Sequence, residues 1–582
     1  MSAKDQKNGF SLKNFLIALT TRKPVLTIII VGVIVFFNGI FNNFISDDFP
    51  QIVNNPKIHS IINIPTYFFG GTFYTGSNTL TGAYYKPVLS SFFSVIYTFF
   101  GPNYNAYHFF QIALFIVNSC LVFLFFSNFF RKDIALLFSL FFLVHPINSE
   151  VAFYISDSQE VLFFFFGILA INKLLRLENK KNLWIVLILL LLSLLSKETG
   201  ILFLTISIIF VFLYKRRFLT LVLSFSVLLL LVYFILRAVS VAFLTPPLNA
   251  PIATLNLSAR ILNIPQILFF YLKTFVFPLN LAYSYQWVIR QANFIDFFLP
   301  LIISNVVFLA MIYFAIQLYA KKSYPQFKNY LFFLIWFIFG LILHLQIIPL
   351  DATVADRWFY FAMVGLIGMI GVSFQVFRSE TKNKLFLTVF VVLIILLSIR
   401  TFVRSSDWRN EYTLLSHDVK FSDAYDLEYG LAARLLEQGK LDEALIYAEK
   451  SVNSYGYTGN YITLGNVYLA KGEYEKSKEA YLNALSYGES SSVYDQLVLL
   501  SIVRGDKPEE SIKFTRSALS KFPADPKLWT LLSVLEYRAN NINAAKDAIS
   551  KAFSLSPNEE NTSLYYKMMN GQKIDVIFNF AH

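Results

Sequence analysis

Long apolar runs follow one another through the first four hundred residues, and the charged positions fall mostly in short clusters between them. Eleven of these runs read as membrane spans, at 24–45, 104–128, 133–148, 159–175, 183–196, 199–214, 218–236, 295–318, 330–349, 357–377 and 385–403. A run of 22 residues at about 1.5 Å per residue covers the roughly 30 Å hydrocarbon layer. Two shorter apolar stretches are left out of that count. Residues 88–100 suit a helix lying on the outer face, and 264–277, bounded by Pro265 and Pro278 and interrupted by Lys273, suit a re-entrant or interfacial segment.

Charge orients this string. The segments expected inside (1–23, 131–132, 173–181, 215–217, 321–328, 378–384) hold 20 Lys and Arg, against eight in all the outer segments before the last span. The N-terminus is therefore expected in the cytoplasm, and an odd number of crossings carries the C-terminal part outside. The first run is too long for a signal-peptide core and has no small-residue cleavage site, so it reads as a retained span.

After residue 403 the pattern turns soluble and, from about 424, repeats. Gly439, Gly472, Gly505 and Asn540 punctuate it with a period of 33 to 35, the range of helix-pair solenoids. This part resembles tetratricopeptide repeats: Tyr461, Leu464, Gly465, Tyr468, Ser477, Tyr481 and Ala484 match in the second unit, and Trp529, Leu532, Ser533, Ala545, Ala552 and Pro557 in the fourth. All of these are first of all packing residues, since each repeat buries its face only against a neighbour. A groove for peptide follows from architecture alone.

Composition agrees. Of 582 residues 56% are hydrophobic and 15% charged, with a mean hydropathy of +0.55, which excludes an ordinary soluble protein. The net charge of +12 is accounted for by topology-setting clusters, so no nucleic-acid partner is expected. The single cysteine, Cys120, lies inside an apolar run and offers neither an intrachain disulfide nor a thiolate cluster.

The chemistry gathers on the expected outer face. Asp47 and Asp48 stand just beyond the first span, opening a loop that closes at Tyr84-Tyr85-Lys86-Pro87. An acidic pair there can act as general base toward an acceptor hydroxyl, or bind a divalent metal that neutralises a phosphate; it can equally be a solvated loop start. His145 and Glu150 end the third span on the same side, Lys197 and Glu198 join the fifth and sixth, and Asp351, Asp356 and Arg357 lie between the ninth and tenth. Charges near membrane depth are costly and turn toward a cavity or a partner, so together they read as an outward-facing polar cavity. Taken singly, Lys197-Glu198 is also an interfacial charge pair and Arg357 a snorkelling anchor. Arg237, Arg260 and Arg290, in a long outer segment without a clear pattern, are weaker candidates.

The order SDDFPQIVNNP, YYKP, HPINSE, SKETG, ADRWFY and then a repeat array resembles the transmembrane and tetratricopeptide-repeat-containing O-mannosyltransferases and their bacterial relatives in the GT-C superfamily, over nearly the whole chain. The resemblance implies an all-α fold: a polytopic, GT-C-like membrane helix bundle of about 11 spans followed by an α-solenoid of about four repeats. The expected parts are a cytoplasmic N-terminus at 1–23, the membrane domain at 24–403 with outer loop 46–103, a linker at 404–423 and repeats at 424–582. It also implies an inverting transferase that moves one mannose-like sugar from a polyprenyl-phosphate donor to a hydroxyl, on protein Ser or Thr, at the outer face of a cell membrane; the excess of Phe, Ile, Asn and Lys with a single cysteine separately suggests a prokaryotic one. Asp47 or Asp48 would then be the base, with Lys86 and Arg357 on the donor phosphate. Membrane lipid and an acceptor protein or peptide, held by the repeats, are the implied partners. No organic cofactor is expected, and a divalent metal stays an open alternative. Lys86 stands where the family pattern has arginine, which keeps charge and loses bidentate phosphate binding, and Asp356 replaces the more usual glutamate. The competing classes are an oligosaccharide ligase or polymerase, which would carry a large late outer loop with His and Arg, and a non-catalytic anchored scaffold, which leaves the polar residues on one face unexplained.

Overall fold

The computed structural model describes residues 23–74, 80–81, 84–241, 249–377, 380–572 and 574. Most of the expected cytoplasmic segment 1–23, with Lys4, Lys7, Lys13 and Arg22, lies outside the described residues, as do 378–379 of one inner cluster and 573 and 575–582 of the repeat region. The described residues are helical or irregular except for one pair of two-residue strands, Phe73–Tyr74 and Leu80–Thr81. Two compact units divide the chain, the first holding nearly all of it up to Leu414 and the second running from Leu415 onward. That boundary falls within the expected linker 404–423, which is itself ordered: the helix Glu380–Asp407 runs into it and Glu411–Asp418 forms another.

The first unit is a helix bundle of a multi-pass membrane protein. Among the described residues eight helices are long and apolar enough to cross a bilayer, or nine with the bent pair Lys132–Val144 and Pro146–Phe153, which meet at 52°. Two of the eleven expected runs make helices of only 14 residues, Leu183–Ser196 and Ile201–Tyr214, about 21 Å each at 1.5 Å per residue. Pro87–Phe100 forms a 14-residue helix, opened by its proline where no N–H is needed. Its Leu89, Phe93 and Ile96 pack with Ile52, Ile58, Tyr67, Tyr107, Ile155 and Leu162, which ties the first loop to the bundle. The stretch 264–277 belongs to a longer helix, Leu257–Val276, with Pro265 inside.

Breaks in the bundle are satisfied by side chains, as non-helical backbone inside a membrane domain requires. Asn148 donates to the Phe142 carbonyl at 2.8 Å and Thr401 to that of Val144 at 2.7 Å, both just before the bend. Gln111 donates to the carbonyls of Val151 and Tyr154 at 2.8 and 2.7 Å. These bonds satisfy the carbonyls that lead into a short buried polar segment, 154–160, between Phe153 and Val161.

The second unit contains four helix pairs, Tyr425–Glu437 with Leu441–Ser454, Thr458–Ala470 with Tyr474–Ser486, Ser491–Arg504 with Pro508–Lys521, and Pro526–Arg538 with Ile542–Leu555, and a closing helix, Glu559–Met569. Each pair turns on a punctuation residue in the left-handed region: Gly439 at φ +72°, Gly472 at +76°, Gly505 at +79° and Asn540 at +61°. Gly465 lets the first helix of its pair lie against the Tyr481 ring, which a Cβ would approach to 2.3 Å.

Candidate functional site

The two neighbouring aspartates have different surroundings. Ser46 takes a positive φ of 45° and turns the chain so that Asp48 points inward and Asp47 outward. Asp48 is fully buried. Its Oδ1 accepts from the Ser156 backbone at 2.8 Å and the Ser156 hydroxyl at 2.5 Å, and its Oδ2 from the Ile45 backbone at 2.9 Å. Asp47 is exposed and is held through its backbone, its N–H donating to the Tyr154 hydroxyl at 3.3 Å and its carbonyl accepting from the Gln51 N–H at 3.1 Å. Solvent reaches its carboxyl, yet protein atoms crowd around it, as in a recess. Burial raises its pKa above the ordinary carboxylate value, Asp157 and Asp351 add to the rise, and Lys86 and Arg357 oppose it.

Those four groups belong to one connected network. Arg357 makes a close ion pair with Glu150, donates its backbone N–H to the same carboxylate at 3.1 Å, and lies 3.4 Å from Asp157. Its side chain is 15% exposed while those of Glu150 and Asp157 are 2% and 6%, so the guanidinium is the member that faces outward. Asp157 accepts from Gln159 at 3.0 Å, and Gln159 accepts from the Lys86 ammonium at 2.8 Å. Lys86 sits 4.3 Å over the Tyr84 ring, and the Tyr84 hydroxyl donates to Asp351 at 2.9 Å. Lys197 is committed to Glu160 in a close buried pair. Glu198 acts electrostatically on Lys86, Tyr84 and Lys197.

Asp47, Lys86, Glu150, Lys197, Glu198, Asp351 and Arg357 are therefore brought together, across a sequence separation of three hundred residues. His145 is not part of the network. It is buried, accepts at Nδ1 from the Ile147 backbone at 3.2 Å to cap the turn after the bend, and stacks on Phe275. Asp356 is buried beside its neighbour, with Tyr271 within reach of its charge. Of the weaker candidates, Arg260 holds the carbonyls of Leu255, Gln346 and Ile347, which braces the loop that presents Asp351, while Arg290 is exposed. Among the described residues no group of three or more His, Cys, Asp or Glu side chains is assembled as metal ligands.

Sequence reasoning missed Asp157 and Gln159, which join Arg357 to Lys86, and Glu160, which pairs with Lys197. The signal was present: ISDSQE is a polar interruption between two apolar runs, but starting a span at 159 hid its last two residues inside the membrane.

A tetratricopeptide-repeat family model matches residues 459–487. A protein O-mannosyl-transferase of Caenorhabditis elegans is 26% identical over 420 residues, covering 68% of this chain and 57% of that protein. A human protein O-mannosyl-transferase is 24% identical over 238 residues, 38% of this chain and 26% of its own. The chain thus spans little more than half the length of the first of these relatives. It resembles these transferases in sequence, and part of its C-terminal half matches the tetratricopeptide-repeat model. Among solved structures, a tetratricopeptide-repeat protein with an unusual peptide-binding site covers 26% of the chain, and the chain 78% of it, at 16% identity and a TM-score of 0.21; no argument rests on that likeness.

Proposed function

We propose that this chain is an integral-membrane, inverting glycosyltransferase that moves a single mannose-like sugar from a polyprenyl-phosphate donor to a Ser or Thr hydroxyl of a protein at the extracytoplasmic face of a prokaryotic membrane. The observation that carries it is the open carboxyl of Asp47 set beside Lys86 and Arg357, in a chain whose relatives are named for transfer of mannose to protein. The acceptor oxygen attacks the anomeric carbon from the face opposite the phosphate. The bond from that carbon to the phosphate oxygen breaks, and its electron pair leaves with polyprenyl phosphate. Asp47 takes the acceptor's proton; a carboxyl with its pKa raised above the ordinary value is a better proton acceptor in the transition state. Arg357, already oriented by Glu150 and Asp157, and Lys86, oriented by Gln159, meet the phosphate charge without reorganising. Asp48 fixes the loop on which the base stands.

The orientation rests on the charge tally, and the repeats are assigned to the acceptor polypeptide. The test is transfer by the purified full-length chain in lipid nanodiscs, with polyprenyl-phosphate mannose and with a nucleotide-activated mannose, to Ser/Thr-containing protein. Transfer from the lipid donor alone, with inverted configuration at the anomeric carbon, is the expected result. Transfer from the nucleotide sugar, or retention of configuration, would overturn the proposal.

A further inference from the structure

We infer that Glu198 and Thr199 form the subsite that grips the hydroxyls of the transferred sugar, which makes Glu198 a specificity-determining residue for the donor; this rests on the reading of the chain as a polyprenyl-phosphate-sugar transferase. The two residues occupy a single 3-10 turn, Glu198–Gly200, between two 14-residue helices. Gly200 keeps that turn tight, because a Cβ there would come within 2.6 Å of the backbone of Ser193 and Leu194. Glu198 Oε2 and Thr199 Oγ1 are both shut away from solvent without a hydrogen-bond partner among the described residues. Two adjacent orphaned polar atoms are an unfavourable arrangement unless something completes them.

Their place in the network says what that is. Lys197 next door is already paired with Glu160. After burial, Glu198 is the largest influence on Lys86, and its charge also reaches Tyr84 and Tyr233. The orphaned carboxylate therefore lies near Lys86, which is assigned to the donor phosphate. A phosphate oxygen has no proton to give a carboxylate, so Glu198 is excluded as a phosphate ligand. The sugar is joined directly to that phosphate, and its hydroxyls are donors. A carboxylate only accepts, whereas a threonine hydroxyl accepts and donates, and the pair suits two neighbouring hydroxyls of one ring.

The test is direct binding to the full-length chain in nanodiscs of two probes, polyprenyl phosphate and mannosyl-phosphoryl-polyprenol. In Glu198→Ala the affinity for the sugar-bearing lipid should fall at least about tenfold, the size of one lost charge-assisted hydrogen bond. Bare polyprenyl phosphate should bind as well as before or more tightly, since a negative charge near Lys86 is gone. Glu198→Gln, which keeps the shape, should shift both probes in the same directions with a smaller loss, and carries the test should the alanine variant fail to fold. Equal weakening of both probes would show that Glu198 acts through the phosphate side, and unchanged binding of both would show that it touches neither; each result overturns the inference while leaving the transferase reading intact. A parent chain that binds neither lipid would overturn both.

Discussion

The contrast between the adjacent aspartates leads to a paired substitution in which stability and turnover separate. In Asp48→Asn one carboxyl oxygen becomes an NH2 group. If it faces the Ile45 N–H, that buried donor loses its acceptor; if the amide flips, the Ser156 N–H loses its own. Either way at least one buried backbone donor is orphaned, at a cost of about 1–3 kcal/mol. Burial, reinforced by Asp47 and opposed by the bonds from Ser156 and Ile45, holds the Asp48 pKa up to about 7, well above the ordinary carboxylate value. A carboxyl raised in the folded state favours that state fully below about pH 4, and this contribution is lost as pH climbs toward 7; Asp48→Asn should remove that part of the slope. Asp47→Asn breaks no side-chain bond among the described residues and should leave stability within about 0.5 kcal/mol, while turnover falls by about 10²- to 10⁴-fold. The assays are thermal unfolding of the full-length chain from pH 4 to 8 and initial rates of transfer. An Asp47→Asn variant that transfers at the parent rate, or an Asp48→Asn variant as stable as the parent at pH 4, would refute the division of roles.

Three further outcomes are expected. Cysteine in place of the exposed Ser520, with the native Cys120 buried, should react with a membrane-impermeant thiol reagent in intact cells; labelling only after lysis would reverse the assigned orientation. Gly465→Ala should destabilise the second repeat by about 1–3 kcal/mol, because Tyr481 is anchored through its hydroxyl to Asn466 at 2.7 Å and cannot swing clear of the new methyl, and a melt of the full chain that is unchanged would contradict this. Burial and then Asp525 push Asp495 up to about 8, with Lys527 opposing, so this group's stabilisation is present below about pH 4 and declines toward pH 8; Asp495→Asn should raise hydrogen-exchange protection of Ser491–Arg504 at pH 8, with the gain shrinking at pH 5.

The repeats were legible because their information is local. Each turn needs a left-handed residue, and glycine at 439, 472 and 505 announces it at a fixed spacing. The site was legible only in its inventory. That charges near the membrane converge follows from the cost of leaving them in lipid, but nothing in the spacing of Glu150 and Arg357 says that they pair across 207 residues. Apolar periodicity also treated 183–196 and 199–214 as spans, although 14 residues give short helices whose joining turn carries Lys197 and Glu198. Histidine at 145 reads as chemistry in a sequence, while in the fold it caps the turn after a bend. Adjacent Asp47 and Asp48 are indistinguishable by composition; the positive φ of Ser46 separates them.

That separation bears on how a catalyst withstands its own cycle. A base must gain and lose a proton at every turnover, and a loop anchored by the working carboxylate would feel each change of charge as a broken tether. Here the tether is the residue next to it, sealed from solvent and bonded to Ser156 and Ile45. Asp47 can therefore alternate between charged and neutral while the frame that aims it stays still. The same arrangement leaves position 47 free to be explored by mutation for altered reactivity without loss of the fold, whereas position 48 is closed to change.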